Sequence, residues 1–325
     1  GIALSQQVPT IDRQPAALAV DRWGRIFVAD RGRRVAVLRH PMPYGDLRRQ
    51  RVERFASEAD LARFECTLEE REEYEPYVEM GLAVYAGVDY GAILAEAERD
   101  ADVVLWDGGN NDLPFVRPTL RFAVVDALRP GHELGYHPGE ANVRAADVVV
   151  INKVSQATSE ALATVRENVR ALAPRASVVE ADLEVSVDAP EAIAGRRVLV
   201  LEDGPTVTHG GMAWGAGTLA ARRHGARELI DPRPFAVGTI SDAYRAHPHL
   251  GPVLPALGYA EGQRAELAET IRRCAPDVVV DGSPARVCRT LGLELPVVRV
   301  RYRFVQRTGD DVVALVEAAV AGGAS

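Results

Sequence analysis

An aspartate at the end of an apolar run is the first pattern that could do chemistry. The run Val103–Trp106 ends in Asp107, and two glycines and two asparagines then precede Asp112. A carboxylate at a strand tip is typical of the Walker B element, where it holds Mg²⁺ beside nucleotide phosphates. A plain Asp-Gly turn is the alternative interpretation. The density of ligand-type groups favours Asp107 as a metal ligand.

The dipeptide Asn152-Lys153, directly after the apolar run Val148–Ile151, is the second such pattern. It resembles the Asn-Lys-x-Asp element of GTPases, in which the lysine stem packs on the base. Ser155 stands at the fourth position, so the carboxylate that reads the guanine edge is missing and guanine selectivity is not expected. Lys153 is the single lysine of the chain. We predict nucleotide binding here, with an ordinary surface lysine as the alternative.

Three loops after apolar runs carry potential anion donors. They are Arg39–Asp46, Arg129–Glu133 and Thr206–Gly211. A helix expected to begin near Ala213 follows the third loop, so helix N–H groups and the helix dipole predict a phosphate cradle there. Each loop contains a histidine, and we predict that at least one of the three contacts substrate, although a lone histidine is more often structural. These histidines are His40, His132 and His209.

The glutamate-rich segment Glu69–Glu75 has two interpretations. A solvated acidic helix face is the favoured one, because runs of like charge are usually exposed to water. A regulatory or metal-binding edge is the other.

These loops require strands and helices that alternate along the chain. Short β-branched runs alternate with amphipathic segments such as Ala157–Leu172 and Gly262–Arg273. This alternation predicts an α/β fold with a mostly parallel sheet covered by helices. We predict a nucleotide-binding domain over residues 1–195 and a smaller α/β domain over residues 196–325. Residues 18–29 are either a hairpin or a helix interrupted by Gly24.

Composition restricts the classes of function. The net charge of −8 argues against a nucleic-acid partner, because phosphate backbones select basic surfaces. No apolar run is long enough to span a membrane and no signal segment opens the chain, so a cytoplasmic location is expected. The three cysteines are too widely spaced to predict disulfides or a metal site. Gly1 in place of an initiating Met indicates a fragment or an altered end.

Several segments of the sequence resemble the cyclic 2,3-diphosphoglycerate synthetase family, and the resemblance covers about Arg33 to Tyr302. They include Arg39–Asp46, Glu69–Glu75, Tyr85–Tyr90, Trp106–Asp112, Arg129–Glu133, Asn152–Val154 and Glu202–Thr206. The resemblance implies a fold of P-loop NTPase type and an enzyme that uses ATP and Mg²⁺ to close 2,3-bisphosphoglycerate into a cyclic phosphoanhydride. A GTPase-like or non-catalytic nucleotide-binding protein is the alternative, in which case GTP could replace ATP.

The site that follows from the resemblance has three parts. Asp107 is the predicted metal ligand. The predicted catalytic residues are Arg39, His40, Asp112, Arg129 and His132, and the predicted cofactor-binding residues are Asn152, Lys153, Thr208, His209, Gly210 and Gly211. The predicted partners are a small phosphorylated anion and a second copy of the chain, with no nucleic acid and no membrane.

One departure from the family pattern concerns the Walker A loop. The family's glycine-rich loop should fall near Asp12–Leu18, where Ala17 and Leu18 stand at the positions of the lysine and the Mg²⁺-binding hydroxyl. We therefore expect slow ATP turnover from this chain as it stands.

Overall fold

The computed structural model describes residues 17–20, 26–29, 34–39, 47–108, 112–208, 212–257, 261–283 and 287–322. The strands are β1 (Ala17–Val20), β2 (Ile26–Ala29), β3 (Val35–Arg39), β4 (Glu53–Phe55), β5 (Ala83–Ala86), β6 (Val103–Trp106), β7 (Phe122–Asp126), β8 (Val148–Asn152), β9 (Ser177–Val187), β10 (Arg197–Asp203), β11 (Glu228–Leu229), β12 (Leu254–Ala256), β13 (Val278–Asp281) and β14 (Val297–Thr308).

The helices alternate with these strands. They are α1 (Glu58–Arg63), α2 (Leu68–Glu79), α3 (Tyr90–Asp100), α4 (His132–Gly135), α5 (Gly139–Arg144), α6 (Ser159–Leu172), α7 (Gly204–Thr208), α8 (Ala216–Arg223), α9 (Gly238–Ala246), α10 (Glu261–Cys274), α11 (Val287–Thr290) and α12 (Val312–Gly322). The predicted α/β fold class is confirmed. Within the described ranges, no helix combines the length and apolar character needed to cross a membrane.

The chain forms two compact units. Unit 1 comprises Gly1–Glu65, Tyr74–Glu184 and Tyr302–Ser325, and unit 2 comprises Cys66–Glu73 and Val185–Arg301. This grouping reflects packing within one chain and does not test whether residues 1–195 and 196–325 are separate domains. The predicted boundary near Gly195 therefore stays a prediction.

Unit 1 contains two sets of parallel strands. In the first set β3 lies between β5 and β6, parallel to both, and β4 pairs antiparallel with β5. In the second set β8 lies between β7 and β9, parallel to both. Every residue of β8 is buried, which explains the apolar run Val148–Ile151 that precedes Asn152. The parallel register brings Asp126 of β7 beside Asn152 of β8, so polar side chains meet where these strands end.

Apolar helix faces cover these strands. The cluster between α3 and the first set includes Leu38, Tyr85, Ile93 and Ala97. Helix α6 begins at its N-cap Thr158, whose hydroxyl accepts from the Ala161 N–H, and buries Val165, Val169 and Leu172. This packing fixes the strand ends that carry the polar residues.

Unit 2 has its own parallel strands. Strand β10 pairs with β11, β12 and β13, and β13 pairs with the first residues of β14. Leu199, Leu201, Leu254, Leu267 and Ile271 belong to its core. The strand β10 delivers Glu202 and Asp203 to its carboxyl end, where both side chains are buried.

Strands β1 and β2 resolve the ambiguity near the start of the chain. They pair antiparallel, with Ala17 opposite Ala29 and Leu18 opposite Val28. The hairpin interpretation is therefore confirmed and the helix interpretation is wrong. Ala17 and Leu18 lie in a strand, and not in a loop before a helix as a Walker A position would. The rest of the expected loop, residues 12–16, lies outside the described residues.

Candidate functional site

The tips of β3 and β6 are joined by a buried ion pair. Arg39 Nη1 lies 2.9 Å from Asp107 Oδ2 and donates to the Asp107 carbonyl oxygen at 2.6 Å. The hydroxyl of Tyr77, a fully buried residue of α2, also donates to Asp107 Oδ2. Only 2% of Arg39 and 8% of Asp107 are exposed. The pair therefore fixes the end of β6 against β3 in a region with little water.

This geometry bears on two predicted roles. Arg39 was predicted to hold the substrate, and its guanidinium contacts the protein's own Asp107. Asp107 was predicted to bind Mg²⁺, and its Oδ2 is engaged by Arg39 and Tyr77. No group of three His, Cys, Asp or Glu residues suited to a metal occurs in the described part of the chain. No described contact supports a magnesium ion at Asp107. The metal role of Asp107 and the substrate role of Arg39 both stay predictions.

Asp112 follows β6 and lies close to an aromatic group. Its carbonyl oxygen accepts a hydrogen bond of 3.2 Å from Asn142 Nδ2 of α5. Burial, with a smaller contribution from the Asp112 charge, raises the pKa of Tyr90. Tyr90 stacks on Phe115 with ring centroids 4.3 Å apart, and Trp106 meets Phe115 edge-on. The sequence interpretation missed this aromatic group, although Trp106 directly precedes Asp107.

The tips of β7 and β8 form a second polar centre. Lys153 Nζ donates to Asp126 Oδ2 at 2.6 Å, and Arg129 Nε lies 4.0 Å from the same oxygen. Two cations therefore face one carboxylate. Asn152 is buried and its Oδ1 accepts from the Lys153 backbone N–H at 2.8 Å. The predicted residues Asn152, Lys153 and Arg129 thus come together around Asp126, which the sequence interpretation did not single out.

Lys153 has an unusual backbone conformation. Its φ of 64° and ψ of 32° lie in the left-handed region, which side chains with a Cβ rarely adopt. Strain of this kind persists where surrounding contacts impose it. A short 3₁₀ turn, Val154–Gln156, follows directly. From this position the Lys153 ammonium reaches Asp126 at the end of the neighbouring strand β7.

A carboxylate from β9 supports this turn from the other side. Ser155 donates to Asp182 through its backbone N–H, at 2.9 Å from Oδ1, and through its hydroxyl. Arg307 of β14 donates to Asp182 Oδ2 at 2.6 Å. Burial alone would raise the pKa of Asp182, but the hydrogen bonds from Ser155 and Arg307 outweigh burial and hold that pKa below its usual range. Asp182 is therefore ionised at neutral pH.

The loop that contains His132 is held in place by the next residue, Glu133. Glu133 is buried, accepts from the Gly131 N–H at 3.1 Å and accepts from Asn168 Nδ2 at 2.6 Å. The ring of His132 lies 4.8 Å from that of Tyr136, which is 61% exposed. The predicted catalytic role of His132 stays a prediction.

In unit 2 the N–H groups at the start of helix α8 are bonded to a side chain of the protein itself. Helix α8 begins at Ala216, after Gly215, and not near Ala213. The Glu202 carboxylate accepts from the N–H groups of Gly215, Gly217 and Thr218 at 2.9, 3.2 and 2.8 Å, and from the Thr218 hydroxyl at 2.9 Å. Burial raises the pKa of Glu202 despite these four bonds. The N–H groups at the start of α8 are therefore bonded to Glu202, and the predicted phosphate-binding role of the Thr206–Gly211 loop stays a prediction.

The remaining predicted residues of this loop are described only in part. Thr208 is buried, and its hydroxyl donates to the Gly204 carbonyl oxygen at 2.7 Å within α7. His209, Gly210 and Gly211, like His40, lie outside the described residues.

The glutamate-rich segment is not a solvated face. It forms the first two turns of α2, and Glu70 and Glu75 are 5% and 7% exposed. Glu70 accepts from the backbone N–H of Thr67 at 2.8 Å and so caps the helix. The favoured interpretation as an exposed acidic face is wrong, because Glu70 and Glu75 are buried. The same helix also buries Tyr74 and Tyr77.

Parallel strands covered by helices, with polar residues at their carboxyl ends, define an α/β fold. The chain is similar in fold to LpxK from Aquifex aeolicus, solved in complex with ATP. The TM-score is 0.51 at 12% identity, covering 89% of this chain and 79% of that one. The likeness supports the predicted α/β fold with a mostly parallel sheet covered by helices.

In sequence, the chain is 57% identical over 278 residues to the arginine synthetase ArcE of Thermococcus kodakarensis. The match covers 86% of this chain and 62% of the relative's length. No family model matches the chain. A relative at this identity with a different activity in its name contradicts the predicted synthesis of cyclic 2,3-diphosphoglycerate, and the GTPase-like or non-catalytic alternative fits no better.

Proposed function

We propose that the chain carries the catalytic fold of an ATP-dependent synthetase that forms a guanidino C–N bond. The observation that carries this proposal is the 57% identity to an arginine synthetase. Because the chain spans 62% of that relative's length, the activity of the whole relative is extended to this chain only as a proposal. The likeness in fold to LpxK, which was solved in complex with ATP, supports the use of ATP.

The chemistry explains why a nucleotide would be required. Arginine differs from its ureido analogue, citrulline, by nitrogen in place of the ureido oxygen, and that oxygen is a poor leaving group. In the proposed reaction the ureido oxygen attacks the γ-phosphorus of ATP, and ADP leaves with the electrons of the broken P–O bond. Ammonia then forms the C–N bond with its lone pair. Phosphate departs with the C–O electrons and takes one proton from the added ammonia.

The second polar centre is the proposed binding place for the nucleotide phosphates. Phosphoryl transfer depends mainly on positioning and on neutralising charge, which Lys and Arg side chains do well. Lys153 and Arg129 supply two positive charges against the single negative charge of Asp126. The side chain of Arg129 is 51% exposed and that of Lys153 29%, so both are accessible to a ligand. The phosphorylated anion predicted as a partner is then the nucleotide itself.

The test is arginine formation by the full chain from citrulline, ammonium and ATP, followed by mass spectrometry together with ADP release. We expect arginine and ADP in equal amounts. Lys153→Ala should lower kcat/KM for ATP by about 10²-fold, the typical effect of losing one preorganised charged donor. Arg245→Ala removes an exposed charge in unit 2 and should have no effect. ATP binding without arginine formation would refute the proposed chemistry, and equal activity with GTP would refute the choice of nucleotide.

A further inference from the structure

The short turn Val154–Gln156, which follows Lys153, is bonded to a side chain that lies far from it in sequence. Asp182 is 27 residues from Ser155 and is 3% exposed. It accepts both hydrogen bonds that Ser155 donates and neutralises Arg307. The contacts fix the backbone directly after Lys153. Asn152 fixes it from the other side, through the bond of 2.8 Å from the Lys153 N–H.

Ser155 stands where the Asn-Lys-x-Asp element has its carboxylate, and a serine there suits the contact with Asp182. A carboxylate at position 155 would be repelled by the buried charge of Asp182, whereas a serine hydroxyl and N–H can both donate to it. Buried polar groups that satisfy each other in this way hold one backbone conformation. The left-handed conformation of Lys153 is disfavoured in isolation, so its persistence requires such support.

We infer that Asp182 is a positioning residue for nucleotide binding, which acts through Ser155 to hold the Lys153 ammonium at the strand ends. This inference rests on the proposed function, because it requires Lys153 to contact the nucleotide. Asp182 itself does not touch the ligand in this scheme. Its loss should therefore weaken nucleotide binding only as far as Lys153 contributes to that binding.

A double-mutant cycle on the full chain tests this dependence. The dissociation constant of ATP, in the presence of magnesium chloride, is measured by calorimetry for Asp182→Asn, for Lys153→Ala and for the double variant. We expect Asp182→Asn to weaken binding by about 10-fold, in line with the cost of misplacing a binding group. In the Lys153→Ala background the same change should alter binding by less than about 2-fold, because the residue through which it acts is gone.

Two further variants separate positioning from stability. Glu184→Gln is the matched control, because Glu184 lies on the same strand and contacts Arg307 at 3.2 Å, but no contact to Ser155 is described for it. It should leave ATP affinity within about 2-fold of the parent. Ser155→Ala removes only the hydroxyl bond to Asp182 and should give an intermediate loss of affinity. If Asp182→Asn fails to fold, this milder variant replaces it in the cycle.

The outcomes are distinct. Unchanged affinity in Lys153→Ala would overturn the proposed nucleotide site and the inference with it. A loss in Lys153→Ala with none in Asp182→Asn would overturn the inference alone. Equal losses from Asp182→Asn in both backgrounds would show a general structural role, which would also overturn it.

Discussion

Replacing Glu202 with glutamine exchanges one carboxylate oxygen at the start of α8 for an amide donor. The remaining oxygen can keep the three bonds made by Oε1, from the N–H groups of Gly215 and Thr218 and from the Thr218 hydroxyl. The new NH₂ group then faces the Gly217 N–H, which bonds Oε2 at 3.2 Å in the parent. A donor would oppose a donor in a buried position.

The size of the effect follows from these contacts. Leaving one buried N–H unsatisfied costs about 1–3 kcal/mol. Loss of negative charge at a helix N-terminus adds a cost of about 0.3–1 kcal/mol. Burial raises the pKa of Glu202 and so disfavours its charged form, and removing the charge therefore offsets part of that cost. The net expectation is a destabilisation of about 1–3 kcal/mol. Glu202→Ala should cost more, because it removes the acceptor of all four bonds.

Urea unfolding followed by circular dichroism gives the free energy of unfolding, and hydrogen exchange follows the Gly217 and Thr218 amides. The control is Glu228→Gln, in an exposed ion pair with Arg197, where about 0–1 kcal/mol is expected. The Gly217 amide should exchange faster in Glu202→Gln, because it loses its acceptor, whereas the Thr218 amide keeps its bond to the remaining oxygen. Equal or greater stability of this variant, with unchanged protection of the Gly217 amide, would refute the role of Glu202 as the acceptor for α8.

Two further predictions concern unit 1. Tyr77→Phe removes a buried donor to Asp107 and should lower the free energy of unfolding by about 1–3 kcal/mol. Tyr136→Phe, at a residue that is 61% exposed, should change that free energy little. Equal effects of the two variants in urea unfolding would contradict this prediction. The bidentate bond from Arg166 holds the pKa of Glu180 below its usual value, so its stabilisation is present above the unfolded pKa of about 4.3 and is lost as pH falls through the folded pKa. The stability difference between the parent and Glu180→Gln should therefore shrink from pH 6 to pH 3, and a constant difference would refute the assignment.

Periodicity was sufficient to predict the short buried strands and the amphipathic helices. The predicted strand Val103–Trp106 is observed with the same bounds, and the predicted helix Ala157–Leu172 begins two residues later, after its cap at Thr158. Such elements are set by local sequence, because burial of one apolar face or run determines them. The hairpin near the start was ambiguous, since Gly24 is compatible with a turn and with an interrupted helix.

The long strands and the supporting carboxylates could not be predicted in the same way. Strand β9 continues to Val187 through Glu180, Asp182 and Glu184, which alternate and therefore share one face. Strand β14 continues through Arg303 and Arg307, which pair with that face. Charge in a single strand is typical of an exposed end, and here side chains of two other elements, β14 and α6, neutralise it. Glu202 escaped prediction for the same reason, because its partners lie 13 to 16 residues later.

The single lysine offers a chemical reporter. Reagents that acylate amines have one side-chain target in this sequence, Lys153, whose side chain is 29% exposed and lies at the polar centre formed by β7 and β8. Because acylation of the α-amino group adds the same mass, modification of Lys153 is read from the peptide that contains it. The rate of acylation would then report, in a mixture and without engineered labels, how often a ligand shields that ammonium.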